Sequence, residues 1–264
     1  MSPTPSQSAA IDYSTVTEVA GELVSREAAA MMRERYQFVA ERSVWEDVLE
    51  VSCGAGQGLG YTAARARSAV GVDITLGSLM TARRHYSGRI PLLRCDAHAL
   101  PFVGGSFDVV AIHEAIYYFR EVDEAFREAH RVLRPGGRLF ISTINPAWSD
   151  FNPSPFSTSY LNAGALADVL GRRFNRVELF GAFPVVTGGI RGRALSALKR
   201  LAVALGLIPR TMRGKRLLKR LVFGELVPVP AELALGGTVA TFTPLLEDAS
   251  ASRFKVIYAI AHRT

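Results

Sequence analysis

Between Val48 and Gly60 the chain reads Val-Leu-Glu-Val-Ser-Cys-Gly-Ala-Gly-Gln-Gly-Leu-Gly. A short apolar run, interrupted by the single acid Glu50, breaks into alternating glycines, and helix-forming sequence resumes at Tyr61-Thr-Ala-Ala. This order specifies a buried strand, a tight turn and a helix, with the backbone bare enough at the turn for a ligand to approach. A chain that begins its core this way is committed to an α/β architecture, and the segments that follow agree.

Residues 25–42 place Ala28, Met32, Tyr36 and Val39 at three- and four-residue spacing, which predicts an amphipathic helix ahead of the first strand. Strands are expected at 47–52, 68–73, 90–94, 107–112, 138–143, 176–183 and 254–261. Helices are expected at 57–67, 75–86, 161–171 and across the stripe Val122, Ala125, Phe126, Ala129, Val132 and Leu133. The last of these stops at Arg134-Pro-Gly-Gly, where proline and glycine end a helix and turn the chain. The expected fold is a doubly wound, mostly parallel seven-stranded sheet with helices on both faces. Ligands of such sheets bind beyond the carboxyl ends of the strands. Residues 1–24 are expected to be a loose tail and 25–264 a single domain, with 187–250 inserted before the last strand.

Composition narrows the functional classes. No apolar run reaches the roughly 18 residues of a membrane span, and the first residues lack the pattern of a secretory signal. The only two cysteines, Cys53 and Cys95, are expected two strands apart, roughly 9–10 Å, too far for a disulfide. A reduced, cytoplasmic setting is therefore expected. The five histidines show no metal-ligand spacing, and no metal site is expected. The net charge of +7 is local: ten Lys or Arg and no acid lie between Thr187 and Gly224, and without them the chain would be acidic. Aromatic residues are scarce in this stretch, so nucleic acid is disfavoured.

The glycines alone leave the ligand open. Gly58-Leu-Gly60-Tyr-Thr-Ala63 satisfies a dinucleotide-binding string, but it starts six residues past Ser52, where the helix should already be running. Gly54 and Gly56 follow the strand directly, with Glu50 inside it. That arrangement suits a compact ligand carrying amine and carboxylate groups.

Four motifs in order then resemble the class I S-adenosylmethionine (SAM)-dependent methyltransferases, in particular small-molecule enzymes like those of ubiquinone biosynthesis. They are Leu49-Glu-Val-Ser-Cys-Gly-Ala-Gly56, Gly71-Val-Asp-Ile74, Cys95-Asp-Ala-His-Ala-Leu-Pro-Phe102, and Phe107-Asp-Val-Val110 with Leu133-Arg-Pro-Gly-Gly137. The resemblance spans about 48–145. It implies SAM as cofactor, S-adenosylhomocysteine as its product, and cofactor contacts at Glu50, Ser52, Cys53, Gly54, Gly56, Asp73, Ile74, Asp96, Ala97 and His113. In the family Asp73 would pair with the ribose hydroxyls and Asp96 with the adenine amine. Ser52 stands where the family has its first glycine.

A methyltransferase must hold its acceptor in line, and a hydroxyl acceptor must also lose a proton. His113, leaving the fourth strand, is the candidate general base because neutral imidazole is available near pH 7. Glu114, Tyr117 and Tyr118 follow it and are expected to face the acceptor. The loop 145–160 carries Trp148, Phe151, Phe156 and Tyr160 among three prolines and is expected to be an acceptor lid. Segments 192–207 and 215–223 read as basic helices that could contact a membrane face or a phosphate-bearing or lipid-linked acceptor. The leading expectation is O-methylation of a small molecule or glycan. An NAD-type oxidoreductase and a non-catalytic SAM-binding regulator are the alternatives.

Overall fold

The computed structural model describes residues 13, 16–148, 151–185, 225–234, 241–245 and 252–264. Its core is an eight-stranded sheet whose strands, in chain order, are β2 (Asp47–Val51), β3 (Ser68–Asp73), β4 (Leu92–Arg94), β5 (Phe107–His113), β6 (Leu133–Ile144), β7 (Arg176–Pro184), β9 (Thr243–Pro244) and β10 (Phe254–His262). They lie side by side as β4-β3-β2-β5-β6-β10-β7-β9. The pairs from β4 through β6 are parallel, and β10 is antiparallel to both β6 and β7. The seven expected strands are all present. The eighth is a two-residue edge on β7, too short to leave a periodic signal.

The strands form because their side chains are buried on both faces: Val48, Leu49, Val109, Val110, Leu139 and Phe140 are essentially inaccessible. Around them pack α1 (Arg26–Ala40), α2 (Leu59–Ala63), α3 (Leu76–Tyr86), α4 (Val122–Val132) and α5 (Ala163–Gly171). Ser25 caps α1 by accepting from Ala28 N, and Asn162 caps α5 by accepting from Ala165 N. Helix α2 is shorter than the 57–67 expected. Its glycine-rich start favours helix poorly, and at its far end Arg67 is drawn to an ion cluster below the sheet.

That cluster sits at the amino ends of β2 and β5. Asp47 and Asp108 are both gripped by Arg67 and Arg134, at 2.5–3.0 Å, and Asp108 also accepts from Asp47 N. The Phe107-Asp108 and Leu133-Arg134 motif thus serves here as a clasp on the face away from the strand carboxyl ends.

One element was not expected at all. Strand β1 (Leu23–Ser25) pairs antiparallel with β8 (Leu226–Pro228) as a separate ribbon. Behind it Val229 and Leu233 are buried with Met32, Tyr36, Ala40 and Tyr61. Residues 225–234, within the expected insertion, therefore return to α1. The described residues also include positions ahead of residue 25. The expected helices at 192–207 and 215–223 lie outside the described residues.

Candidate active site

At the carboxyl ends of the strands a cleft of about 560 Å³ opens under α1. Sheet order divides it. Over β4-β3-β2 lie the loops after those strands, contributing Asp96, Ala97 and His98, then Asp73, Ile74 and Thr75, then Ser52, Cys53 and Gly54. Over β5-β6-β10 lie His113, Glu114, Ile144 and Val256, faced by Ala28, Met31, Met32 and Arg35 of α1.

The first half is built by backbone turns. Ser52 has φ 60° and Gly54 φ 57°, so the position where the resemblance expected a glycine holds a serine in the left-handed region, at a cost of order 1–3 kcal/mol. A Cβ at Gly54 would meet Thr17 Cγ2 at 2.9 Å. Asp73 Oδ2 accepts from Gly54 N (2.8 Å) and Oδ1 from Thr75 N (2.7 Å), which ties two turns together. Burial raises this carboxyl above its ordinary value, although those N–H groups oppose the shift. Asp96 is the reverse case. Burial pushes it up, but the His98 backbone N–H and ring outweigh burial and hold it low.

Gly56 and Glu50 stand behind the wall. Gly56 faces α3, where a Cβ would meet Tyr86 and Ala82, and the Gly58 Cα lies under the Tyr36 ring. The Gly58-x-Gly60 string is therefore packed against protein, with no room for a pyrophosphate. Glu50 is buried and accepts from Tyr36 Oη at 3.0 Å. Burial raises it to about 8, against the pull of Tyr36 and Arg35.

In the second half, His113 Nδ1 is held by Ser142 Oγ at 2.9 Å, and its ring meets Tyr36 edge-on. Burial, with help from Arg35, lowers it to about 3. The imidazole is neutral as expected, but so weak a base that the reason for choosing it as proton acceptor falls away. Glu114 has φ 49°. Its Oε2 accepts from Tyr117 Oη and Ile144 N, both at 3.2 Å. Burial raises it to about 7, with Arg35 opposing and Glu18 reinforcing.

The expected lid is arranged differently. Tyr117 and Tyr118 line the cleft. Tyr160 stacks on Tyr117 from behind, with centroids 4.6 Å apart, and Phe151 meets Tyr160 edge-on. Thr158 bonds to the Tyr117 and Phe119 carbonyls, pinning the loop down. Phe156 is exposed but meets Tyr13 edge-on. Trp148 packs under Lys255 Nζ. None of these four forms the wall; Phe151 and Tyr160 brace it.

What sequence reasoning missed is the roof. Tyr13, Val16, Thr17 and Glu18, assigned to a loose tail, line the cleft. Glu18 forms an ion pair with Arg35, and its carbonyl accepts from Gln57 Nε2. Arg35 carried a signal: it falls on the inward stripe 28-32-35-39 of α1, where a cation must have a buried partner.

A family profile described as a methyltransferase domain matches residues 49–141. A probable S-adenosylmethionine-dependent methyltransferase of Mycolicibacterium smegmatis is 34% identical over 141 residues, covering 51% of this chain and 54% of its own. The phthiotriol/phenolphthiotriol dimycocerosates methyltransferase 1 of Mycobacterium ulcerans is 39% identical over 103 residues, 38% of each chain. The chain spans about half the length of the first of these curated relatives. Among solved structures, the [4+2]-cyclase SpnF superposes with a TM-score of 0.56 at 18% identity, covering 94% of this chain and 88% of its own. That likeness concerns the fold alone.

Proposed function

We propose that the chain, which matches a methyltransferase-domain profile through residues 49–141 and a probable SAM-dependent methyltransferase over about half its length, is a class I SAM-dependent methyltransferase that transfers the methyl group of SAM to the oxygen of a small-molecule acceptor. The cofactor supplies a methyl already activated on a sulfonium; the protein's own task is to hold, orient and exclude water.

The residues present fit that cofactor. Gly54 lines the cleft in the left-handed region, and a Cβ there would press on Thr17 Cγ2 of the roof at 2.9 Å, so its backbone stays bare for a ligand. Asp73 has a lone pair committed to a backbone N–H at each oxygen and others remaining for a ribose diol. Asp96, kept ionised by His98, is an acceptor for the adenine amine. Ser52, Cys53, Ile74 and Ala97 complete this half of the wall. Glu50 would act on the amine end from beneath, through the Tyr36 hydroxyl that it holds. The observation that carries the reading is this order of groups across β4-β3-β2, with His113 and Glu114 next in line over β5.

Small molecules are the coarse acceptor class. A phosphate-bearing, glycan or lipid-linked acceptor, and contact with a membrane face, would draw on residues 191–223, which lie outside the described residues. No helix among the described residues is long and apolar enough to cross a membrane. Calorimetry of the full chain with S-adenosylhomocysteine, SAM and NAD, followed by radiolabelled methyl transfer from SAM, tests the proposal. Binding of the two adenosyl thioether and sulfonium ligands but not NAD is expected. A folded protein that binds neither would sink it, and binding without transfer to any small hydroxyl acceptor would favour the non-catalytic alternative.

A further inference from the structure

Beyond His113 the cleft changes character. Over β5-β6-β10 its wall consists of Ala28, Met31 and Met32 from α1, with Ile144 and Val256 from neighbouring strands paired in register. Methionines adapt to irregular apolar shapes. The buried cation of this half, Arg35, is already paired with Glu18, so it is not free to neutralise a phosphate. One polar atom stands apart: Glu114 Oε1 has no hydrogen-bond partner among the described residues, while Oε2 is held twice.

We infer that Glu114 Oε1 takes the proton of a neutral alcohol or phenol whose body is apolar and lies against Ala28, Met31, Met32, Ile144 and Val256. This rests on the methyltransferase reading above. In the step the acceptor O–H bond breaks and the Oε1–H bond forms. The electron pair left on the acceptor oxygen makes the new bond to the methyl carbon as the S–CH₃ bond breaks, its electron pair returning to the sulfonium sulfur to leave neutral S-adenosylhomocysteine; the proton then leaves Glu114 for solvent as the products depart.

The geometry supports the assignment at three points. The backbone of Glu114 is forced to positive φ, with its N–H given to Ser142 O at 2.8 Å, a strained posture that fixes where the carboxylate projects. The two bonds to Oε2 leave Oε1 as the only oxygen of the pair available to a ligand. The groups facing the carboxylate are Arg35 from α1, Glu18 from the roof, His113 beside it, Tyr117 and Tyr118 from the turn that follows, and Tyr258 from β10. Together with burial they bring Glu114 to about 7, where a carboxylate can both accept and release a proton at neutral pH. His113, lowered to about 3, cannot compete for that proton.

The test uses the full chain loaded with S-adenosylhomocysteine, titrated calorimetrically with 4-nonylphenol and with UDP-glucose, in the wild type, Glu114→Gln and His113→Ala. Wild type should bind the phenol and not the sugar nucleotide, and Glu114→Gln should bind the phenol within about twofold of wild type. With SAM, methyl transfer to the phenol should fall a hundredfold or more in Glu114→Gln, the size of a lost general base, and the acid limb of the rate near pH 7 should vanish. Infrared difference spectroscopy of the protein without cofactor should show a carboxyl band titrating near pH 7 that is absent from Glu114→Gln. Tighter binding of UDP-glucose than of the phenol, or no phenol binding, would overturn the acceptor class. Survival of the acid limb in Glu114→Gln with its loss in His113→Ala would overturn the base. Failure to bind S-adenosylhomocysteine would instead strike the methyltransferase reading itself.

Discussion

The two ends of the same strands treat their acids in opposite ways. Strand β2 starts with Asp47 and carries Glu50 three residues later; β5 starts beside Asp108 and delivers Glu114 just past its end. At the amino end Asp47 and Asp108 share two arginines and are held below the ordinary carboxylate range. For Asp47 the Arg67 pairing is the main cause; for Asp108 the Asp47 N–H and Arg134 overcome burial. At the carboxyl end Glu50 and Glu114 are raised by burial to about 8 and about 7, and a single cation, Arg35, attends them both. Spacing along a strand does not decide this. The amino end is closed by partners, and the carboxyl end is kept under-partnered, as a ligand site must be.

The contrast can be broken in several places. The largest effect should come from Asp73→Ala. Affinity for S-adenosylhomocysteine by calorimetry should drop at least about tenfold, since a hydrogen bond to a charged group contributes about 1.5–3 kcal/mol; unchanged affinity would overturn its placement in the cofactor half. Next, Asp108→Ala should cost about 1–3 kcal/mol of unfolding free energy, because it strips an acceptor from Asp47 N and a partner from Arg134. Ligand affinity of the folded fraction should not change. A loss of affinity equal to that of Asp73→Ala would show that the ends are not separate.

Acid and base should also act on the two ends with opposite sign. Asp47 and Asp108 contribute stability above the ordinary aspartate value of 3.8, and it is lost as pH falls through their lowered values. Glu50, neutral in the fold, contributes stability below 4.5 that is lost as pH rises toward about 8. Thermal unfolding of Glu50→Gln between pH 6.5 and 8.5, above the range in which His113 titrates, should decline less steeply than wild type; an unaltered slope would mean that Glu50 ionises freely. The smallest effect is Tyr36→Phe, which removes the Glu50 hydrogen bond and should cost about 0.5–1.5 kcal/mol, read from urea midpoints at pH 6.

Much of this was legible in the chain. Buried runs such as Val109–Ile112, ended by glycine, proline or a helix stripe, give strands whose bounds the structure moves by a residue or two; β6 is the exception, opening at Leu133, five residues before the expected start and at a position expected on the helix stripe of α4. Asp73 and Asp96 were legible because they close strand motifs. Arg35 and Tyr36 were legible only as inward positions of α1; the partners Glu18 and Glu50 that give them their roles were not, since those pairings depend on α1 folding across the sheet and on a roof contributed by residues far from it in sequence. The aromatic loop misled for a related reason. Ring content predicts a contact surface, but the pairing of Thr158 with Tyr117 and Phe119 turns Tyr160 toward the back of the wall. The ion clasp was not foreseen: the motif holding Asp108 and Arg134 marked only strand four and the turn into strand five, and sheet geometry is what brings the two residues together with Asp47 and Arg67 at the far end.

The β1–β8 ribbon carries a mechanical consequence. Gly21 N bonds to Val229 O and Val229 N to Glu22 O, so the strand that continues from the basic stretch is stitched to the chain three residues after Glu18. The ribbon works as a tie: it anchors the segment that leads into the roof, whose Glu18 neutralises Arg35, to residues some two hundred positions further along the chain.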